Sequence, residues 1–207
     1  MSTGQSKKTI PKQRKGAKSD TSYSINLKTP EEAKRYFSES KTRLLDVSNW
    51  HQLCGLVTAT FALTDNSGNK VTRDAREGDY LRIDIPGPGS KTGDGYDWGK
   101  IESIETKLNS ANDYEELLMR VRPSKNPSAN SGQTAHFFKE DASSTFMVIR
   151  EKNIVTAEIH GRNEVPNTKP EKITDAIRNT LIAIGAMLGF SKAQWKKLVK
   201  GLVLKAK

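Results

Sequence analysis

The sequence has little of what disulfide or metal chemistry requires. Cys54 is the only cysteine among 207 residues, which excludes a disulfide within the chain and a zinc site built from several cysteines. The three histidines, His51, His136 and His160, fall on a predicted helix, a loop and a strand end and show no spacing typical of metal ligands. We therefore predict neither a metal nor a cofactor, and Cys54 is interpreted as a buried small residue.

Long apolar runs are also missing. No segment approaches the roughly 18 consecutive apolar residues that a membrane-spanning helix needs. The N-terminal stretch is charged but has no apolar core of a secretory signal, so a cytoplasmic location is expected. No Gly-x-Ser-x-Gly turn or obvious carboxylate pair is present. His160 and Glu164 are residue types that can form an acid–base pair. A strand end with satisfied polar groups is the favoured interpretation of these residues, and no catalytic residue is predicted.

The stretch "IPGPGSKTGDGYDW" (85–98) is rich in glycine but matches no phosphate-binding motif. A Walker A loop requires a glycine directly before the Lys-Thr pair, and Ser90 stands there. A dinucleotide fingerprint requires a third glycine where Thr92 stands. Both motifs also need a helix to follow at once, whereas Tyr96 and Trp98 lead into a predicted strand. Pro86 to Asp97 is therefore predicted to be a long loop that covers a site or lies in solvent.

Positive charge is concentrated at the two ends of the chain. The net charge of +10 comprises +5 in residues 1–24 and +6 in residues 190–207, so the body is close to neutral. Met1 to Asp20 holds too few large apolar residues to offset its ordering entropy, and residues 1–22 are predicted to be a disordered basic tail. Such ends attract phosphate groups, but for the N-terminal tail a solvated segment that only aids solubility is the favoured interpretation.

Between the ends, apolar spacing predicts one α+β domain over residues 23–189. "YSINL" is a short strand, Thr29 caps a helix that begins at Pro30, and "SNWHQLC" forms a second short helix. Alternating residues then predict six strands, the last two forming a hairpin. The segments concerned are "VTATFAL", "GDYLRIDI", "DWGKIESIE" with a bulge at Gly99, "EELLMRVR", "STFMVIR" and "IVTAEIH".

The C-terminal part is predicted to be helical. Ile173 to Leu188 follows helical spacing and ends at Gly189. A second, basic amphipathic helix follows over residues 190–207, with Gln194 completing a capping box. Packing of this helix on its own domain and docking to a membrane or partner both remain open.

This order of elements resembles the helix-grip fold of the START and Bet v 1-like (SRPBCC) superfamily. The resemblance covers Tyr23 to Leu188 and depends on "TPEEAKRYF" and "SNWHQLC" between the first two strands and on the helix after the last hairpin. It implies an antiparallel sheet of about six to seven strands that grips a long C-terminal helix, with a cavity between them for an apolar or amphipathic molecule. The additional terminal helix departs from that pattern.

Two functions are therefore carried forward. The first is a non-catalytic binding protein that holds a small apolar or amphipathic molecule between sheet and helix, with the loops Pro86–Asp97 and Pro123–Thr134 around its mouth. Its candidate ligand-binding residues are Tyr96, Trp98, His160 and Arg162. The alternative is sequence-independent nucleic-acid binding, for which the candidates are Lys7, Lys8, Lys12, Arg14, Lys15, Lys196, Lys197 and Lys200.

Overall fold

A computed structural model describes residues 10–54, 59–85, 91–129, 132–167 and 192–204. Its elements are β1 (Ala17–Asn26), α1 (Pro30–Leu45), α2 (Trp50–Cys54), β2 (Thr60–Thr64), β3 (Tyr80–Asp84), β4 (Asp97–Asn109), β5 (Tyr114–Pro123), β6 (Ser143–Glu151) and β7 (Ile154–Glu164). A terminal helix occupies 192–203. The long helix predicted over Ile173 to Leu188 lies outside the described residues.

The seven strands form one antiparallel sheet in the order β1-β7-β6-β5-β4-β3-β2. The two helices α1 and α2 connect β1 and β2, which lie at opposite edges of the sheet, and the last strand pairs with the first. This arrangement confirms the predicted α+β class with an antiparallel sheet of six to seven strands. The face that contacts α1, α2 and the terminal helix is called the inner face below, and the opposite one the outer face.

Helix α1 begins where its sequence predicts. The Thr29 hydroxyl accepts a hydrogen bond from the Glu32 amide at 3.1 Å, and the Glu32 carboxylate accepts one from the Lys28 amide at 3.1 Å, so two otherwise unpaired amides at the helix start are satisfied. Ala33, Phe37 and further residues one turn apart are buried against the inner face. The predicted helix and its buried face are confirmed.

The core lies between the inner face and the helices. Trp50, at the start of α2, is fully buried and packs against Phe61 of β2 and Phe146 of β6. Leu198, Val199, Leu202 and Val203 of the terminal helix are at most 1% exposed in the same cluster. The terminal helix therefore packs on its own domain, and its apolar stripe is not available to a membrane or partner.

Gln194 of the terminal helix has a distant partner that the sequence does not predict. Its side chain bonds the backbone of Ala59, accepting from the amide at 3.3 Å and donating to the carbonyl at 3.2 Å. Gln194 thus joins the terminal helix to the chain entering β2. Ser191, its partner in the predicted capping box, lies outside the described residues.

The bulge predicted at Gly99 lies elsewhere in the same strand. Gly99 pairs regularly with Leu81 and Pro123, and the bulge lies further along β4, where the register shifts between Ile101 and Ser103. Gly99 has a packing role instead, because a Cβ at this position would lie 2.7 Å from Cγ1 of Val121.

Gly201 allows the terminal helix to approach α2 closely. A Cβ at this position would lie 2.7 Å from Cβ of Leu53 and 2.8 Å from its carbonyl oxygen. We expect Gly201→Ala to lower the free energy of unfolding by about 1–2 kcal/mol, because overpacking against backbone outweighs the better helix propensity of alanine. Urea denaturation measures the change. Lys200→Ala, an exposed neighbour, should shift stability by less than about 0.5 kcal/mol. A Gly201→Ala protein as stable as wild type would contradict this packing.

Candidate functional site

A cavity of about 320 Å³ opens at the end of the sheet where β1 begins and β7 ends. Residues of both edge strands line it, Ala17 to Thr21 from β1 and Phe61 from β2, together with Trp195 of the terminal helix. Since β1 and β2 are the two edges of the sheet, their meeting at one cavity shows that the sheet is curved around it.

Most of the cavity wall is apolar. The lining includes Phe61, Leu81, Ile83, Ile85, Val121, Phe137, Phe138, Phe146 and Trp195. Several of these side chains, among them Ile83, Phe137 and Trp195, are only partly buried. Apolar and aromatic surface left open in a concave site of this size is typical of ligand pockets, which range from about 300 to 1,000 Å³.

One group of polar residues in the wall lies where β1, β6 and β7 meet. Ser19 and Glu164 face each other, with the Ser19 hydroxyl donating to Oε1 of Glu164 at 3.0 Å. Ser144 lies beside them on β6, paired with Gly161 of β7, and is partly exposed although its strand lies inside the sheet. Burial raises the pKa of Glu164, and the hydrogen bond from Ser19 and the charge of Arg162 offset this only in part.

His136 contributes a neutral imidazole to the wall. Its Nδ1 accepts a hydrogen bond from the Phe138 amide at 2.9 Å, so the neutral ring carries its proton on Nε2. Burial lowers the pKa of His136 to about 3, which keeps the ring uncharged at neutral pH. His136 can therefore offer a hydrogen bond but no charge.

The segment bearing His136 is held by the chain that follows β7. Asn167 fixes this segment through three hydrogen bonds. Its backbone amide donates to the Phe137 carbonyl at 2.7 Å, and its side chain donates to the carbonyls of Thr134 and His136. The Phe137 amide bonds the buried carboxyl of Asp97. Burial is the larger influence on that carboxyl and raises the pKa of Asp97 to about 7. The aromatic wall is thus fixed by backbone contacts.

Tyr96 and Trp98, expected at the pocket mouth, do not line the cavity. The Tyr96 ring lies 4.3 Å from the Arg82 guanidinium carbon. Trp98 pairs with Arg82 in the β3–β4 ladder, is 4% exposed, and donates from Nε1 to the Gly93 carbonyl at 3.1 Å. Both residues fix the loop before β4 on the side of the sheet away from the cavity.

His160 and Arg162 lie close together, but on the outer face. His160 bonds Asp20 through Nδ1 at 2.6 Å and Glu158 through Nε2 at 2.9 Å, while Arg162 pairs with Asp20 at 2.6 Å. Burial disfavours the charged ring, but the two carboxylates outweigh it and raise the pKa of His160. Burial likewise opposes ionisation of Asp20, and bonds from His160 and Arg162 outweigh it, lowering the pKa of Asp20. The cluster joins β1 to β7, and the imagined His160–Glu164 pair does not form.

The N-terminal segment is more ordered than its composition indicates. β1 begins at Ala17, and Ile10 packs on an outer-face cluster formed by Tyr114, Leu118, Met147 and Ile149. Lys15 forms an ion pair with Asp141. The predicted disorder is therefore corrected for residues 10–22, whereas residues 1–9 lie outside the described part. Backbone contacts between this segment and the body supply order that apolar content alone does not predict.

The structure describes six of the eight cationic residues that are candidates for nucleic-acid binding. Lys196, Lys197 and Lys200 are exposed on the terminal helix, and the side chains of Lys12 and Arg14 are exposed on the N-terminal segment. Lys7 and Lys8 lie outside the described residues. Within the described ranges, no cluster of three or more possible metal ligands occurs, and no helix there is long and apolar enough to cross a membrane.

The residues that sequence reasoning missed are Ser19, Glu164, His136 and Ser144. Glu164 belongs to the polar stretch "HGRNE", but its separation from His160 and Arg162 depends on a bulge in β7 that only the pairing with β1 reveals. Ser19 fell in the predicted tail. Ser144 and His136 carry no local signal that distinguishes them from ordinary strand and loop residues.

No protein-family model and no curated protein matches the sequence. Among solved structures, norcoclaurine synthase from Thalictrum flavum matches at 12% identity over 95% of this chain and 100% of its own, with a TM-score of 0.35. Major latex-like protein 151 from Panax ginseng matches at 12% identity over 84% and 96%, with a TM-score of 0.34. Ara h 8.0201 matches at 9% identity over 89% and 99%, with a TM-score of 0.31.

These three are Bet v 1-like proteins, which is the resemblance that the order of elements predicted.

Proposed function

We propose that the protein binds a small apolar or amphipathic molecule in the cavity between the curved sheet and the terminal helix. The observation that carries this proposal is the cavity of about 320 Å³, whose wall is mostly aromatic and aliphatic and has a polar corner at Ser19, Ser144 and Glu164. A filled core would have closed such a space, since interiors pack about as densely as organic crystals. The polar corner would orient a ligand, and the apolar wall would supply most of its affinity.

Filling the cavity should weaken binding. Ser144 faces the cavity from an interior strand and is partly exposed, so the ring of Ser144→Phe would occupy ligand space without displacing a buried apolar side chain. We expect the affinity for an apolar fluorescent probe, anilinonaphthalene sulfonate, to fall at least about tenfold, which corresponds to the loss of roughly 1.4 kcal/mol of binding energy. Fluorescence titration of the full-length protein measures this change.

Ser22→Phe is the matched control, because Ser22 lies exposed on the outer face of β1 beside Glu158. It adds the same ring to the surface and should leave probe affinity unchanged. Equal loss in both variants, or unchanged affinity in Ser144→Phe, would show that the probe binds elsewhere. Native mass spectrometry of gently purified protein should also reveal a non-covalent mass of a few hundred daltons (on the scale of a pocket-sized ligand).

Nucleic-acid binding by the basic ends remains a prediction that no contact among the described residues favours. Lys15 is engaged with Asp141, and Lys12 contributes its carbonyl to the side chain of Asn163. The exposed lysines of the terminal helix would suit phosphate groups, but they equally suit a solvated helix face.

A further inference from the structure

A bulge in β7 turns Glu164 towards the cavity. Ser19 of β1 pairs with Gly161 and Ala17 pairs with Glu164, so Arg162 and Asn163 together oppose one residue of β1. Asn163 adopts a left-handed conformation with φ of 56°. One extra residue reverses the alternation of side chains along a strand. Glu164 consequently shares the inner face with Gly161, whereas Arg162 points to the outer face.

The bulge is held by the N-terminal segment. The Asn163 side chain accepts from the Arg14 amide at 2.7 Å and donates to the Lys12 carbonyl at 3.2 Å, and the Asn163 amide donates to the Gln13 side chain at 3.0 Å. Asparagine tolerates the left-handed region better than most residues, and these bonds fix it there. The orientation of Glu164 is thus built into the fold.

Gly161 provides the space in which the Glu164 carboxyl rests. A Cβ at this position would lie 2.0 Å from Oε1 of Glu164 and 2.3 Å from the Ser19 hydroxyl. With no side chain there, the carboxyl lies directly over the β7 backbone, and Ser19 donates to Oε1. Ser19 is the only hydrogen-bond partner of this carboxyl among the described residues, which leaves Oε2 as an acceptor for a ligand.

The carboxyl lacks a cation of its own in the part of the chain that the structure describes. Glu164 is 8% exposed and forms no ion pair with a described Lys, Arg or His side chain. Arg162, the cation nearest in sequence, is committed to Asp20 and to the carbonyls of Ser19 and Gly161. A buried carboxylate without a cation is costly, so a positively charged ligand group would be favoured beside it.

The other charged groups around the cavity set the competition. Asp20 of β1 reinforces the negative charge. Three cations line the cavity, of which Lys18 is paired with Asp20 and Arg122 with Glu102. Lys192 of the terminal helix is the remaining competitor for Glu164 among the described lining residues. His136 stays neutral. The aromatic wall, which includes Phe137 and Trp195, also favours an organic cation, because aromatic faces attract ammonium groups.

We infer that the ligand class of this cavity is a small amphipathic amine, whose ammonium group binds the Glu164 carboxylate while its apolar body lies on the aromatic wall; the inference presupposes the binding function proposed above. Ser19 and Gly161 position the carboxylate, and the N-terminal segment keeps the bulge in place.

Octylamine, octanol and octanoate test this ligand class, because they share one apolar chain and differ in the terminal group. Each displaces the fluorescent probe from full-length protein at pH 7.5, below its micelle concentration. We expect octylamine to bind at least about tenfold more tightly than octanol, because a hydrogen bond between two charged groups is stronger than one between a charged and a neutral group. Octanoate should bind most weakly, because its carboxylate carries the same charge as Glu164. Equal affinities for octylamine and octanol would overturn the inference.

Glu164→Gln should remove the preference for octylamine and leave octanol affinity within about threefold of wild type (about 0.7 kcal/mol). Glu158→Gln is the matched control, because Glu158 is also a buried carboxylate of β7 but lies on the outer face beside His160. It should retain the preference. Gly161→Ala keeps the carboxylate but displaces it, and should weaken octylamine more than octanol. A preference that survives Glu164→Gln would overturn the assignment of this residue.

Lowering the pH gives an independent readout. The folded-state pKa of Glu164 is raised, so its charge, and with it the octylamine preference, should be lost as the pH falls through that raised value, while octanol binding persists. A preference that does not change with pH would count against Glu164. If octanol binds and octylamine shows no preference, only the amine inference fails. If neither displaces the probe and Ser144→Phe has no effect, the binding function itself fails.

Discussion

Replacing Trp50 with alanine is expected to lower the free energy of unfolding by about 3–5 kcal/mol, the range for removing a large aromatic side chain from a core. Trp50 is 0% exposed, and its ring centroid lies 5.3 Å from that of Phe61 and 4.8 Å from that of Phe146. Its Nε1 also donates to the carbonyls of Arg43 and Leu44 at 3.2 Å. The side chain therefore joins β2, β6 and the end of α1, and alanine would lose all three contacts.

Urea denaturation followed by circular dichroism measures this loss. Trp50→Phe separates its two parts, because phenylalanine keeps an aromatic ring in the core but leaves the Arg43 and Leu44 carbonyls without the indole donor. The phenylalanine variant should lose less stability than the alanine variant. A loss below about 1 kcal/mol for Trp50→Ala, near the average for any substitution, would show that the core does not depend on this residue.

The sequence predicts well the features that depend on neighbouring residues. The Thr29 cap, the helix that follows it and the hairpin between β6 and β7 are all specified within a few positions. The turn of that hairpin contains Lys152 with φ of 54°, between two strands of clear alternation. Each strand of the sheet is likewise predicted from the alternation of apolar and polar residues within its own segment.

Features that depend on a distant partner could not be predicted. Simple alternation along β7 places His160, Arg162 and Glu164 on one face, and the sequence treats them as one polar cluster. The bulge at Asn163 becomes visible only when β7 is paired with β1, about 140 residues away in the chain, as in the His160–Asp20 bond. Of the candidate ligand-binding residues, His160 and Arg162 consequently lie on the face opposite the cavity, and the sequence alone does not set Glu164 apart from them.

Gln194 shows the same limit in a single side chain. Its spacing from Ser191 fits a capping box, which is a local signal. The structure shows that its side-chain amide also bonds Ala59, 135 residues earlier, in a contact that no pattern of neighbouring residues encodes.

Two arginines of the sheet look alike in sequence and in bond length but should differ greatly in importance. Arg150 Nε lies 2.6 Å from Glu115, and Arg122 Nε lies 2.6 Å from Glu102. The Arg150 side chain, however, is 2% exposed, whereas that of Arg122 is 33% exposed. Arg150 also bonds Asp113 and the Lys152 carbonyl, so its charge is surrounded by acceptors in the inner face of the sheet.

Arg150→Met should therefore lower the free energy of unfolding by about 3 kcal/mol, at the lower end of the range for breaking a buried ion pair, because water can partly solvate the Glu115 carboxylate, which is 27% exposed. Arg122→Met should cost less than about 1 kcal/mol, since exposed pairs contribute little. Urea denaturation of both variants at one ionic strength gives the comparison. Similar losses would mean that the charge pair itself, and not its burial, decides the effect. A large loss for Arg150→Met alone would show that the inner face relies on this guanidinium to neutralise the carboxylates at the end opposite the cavity.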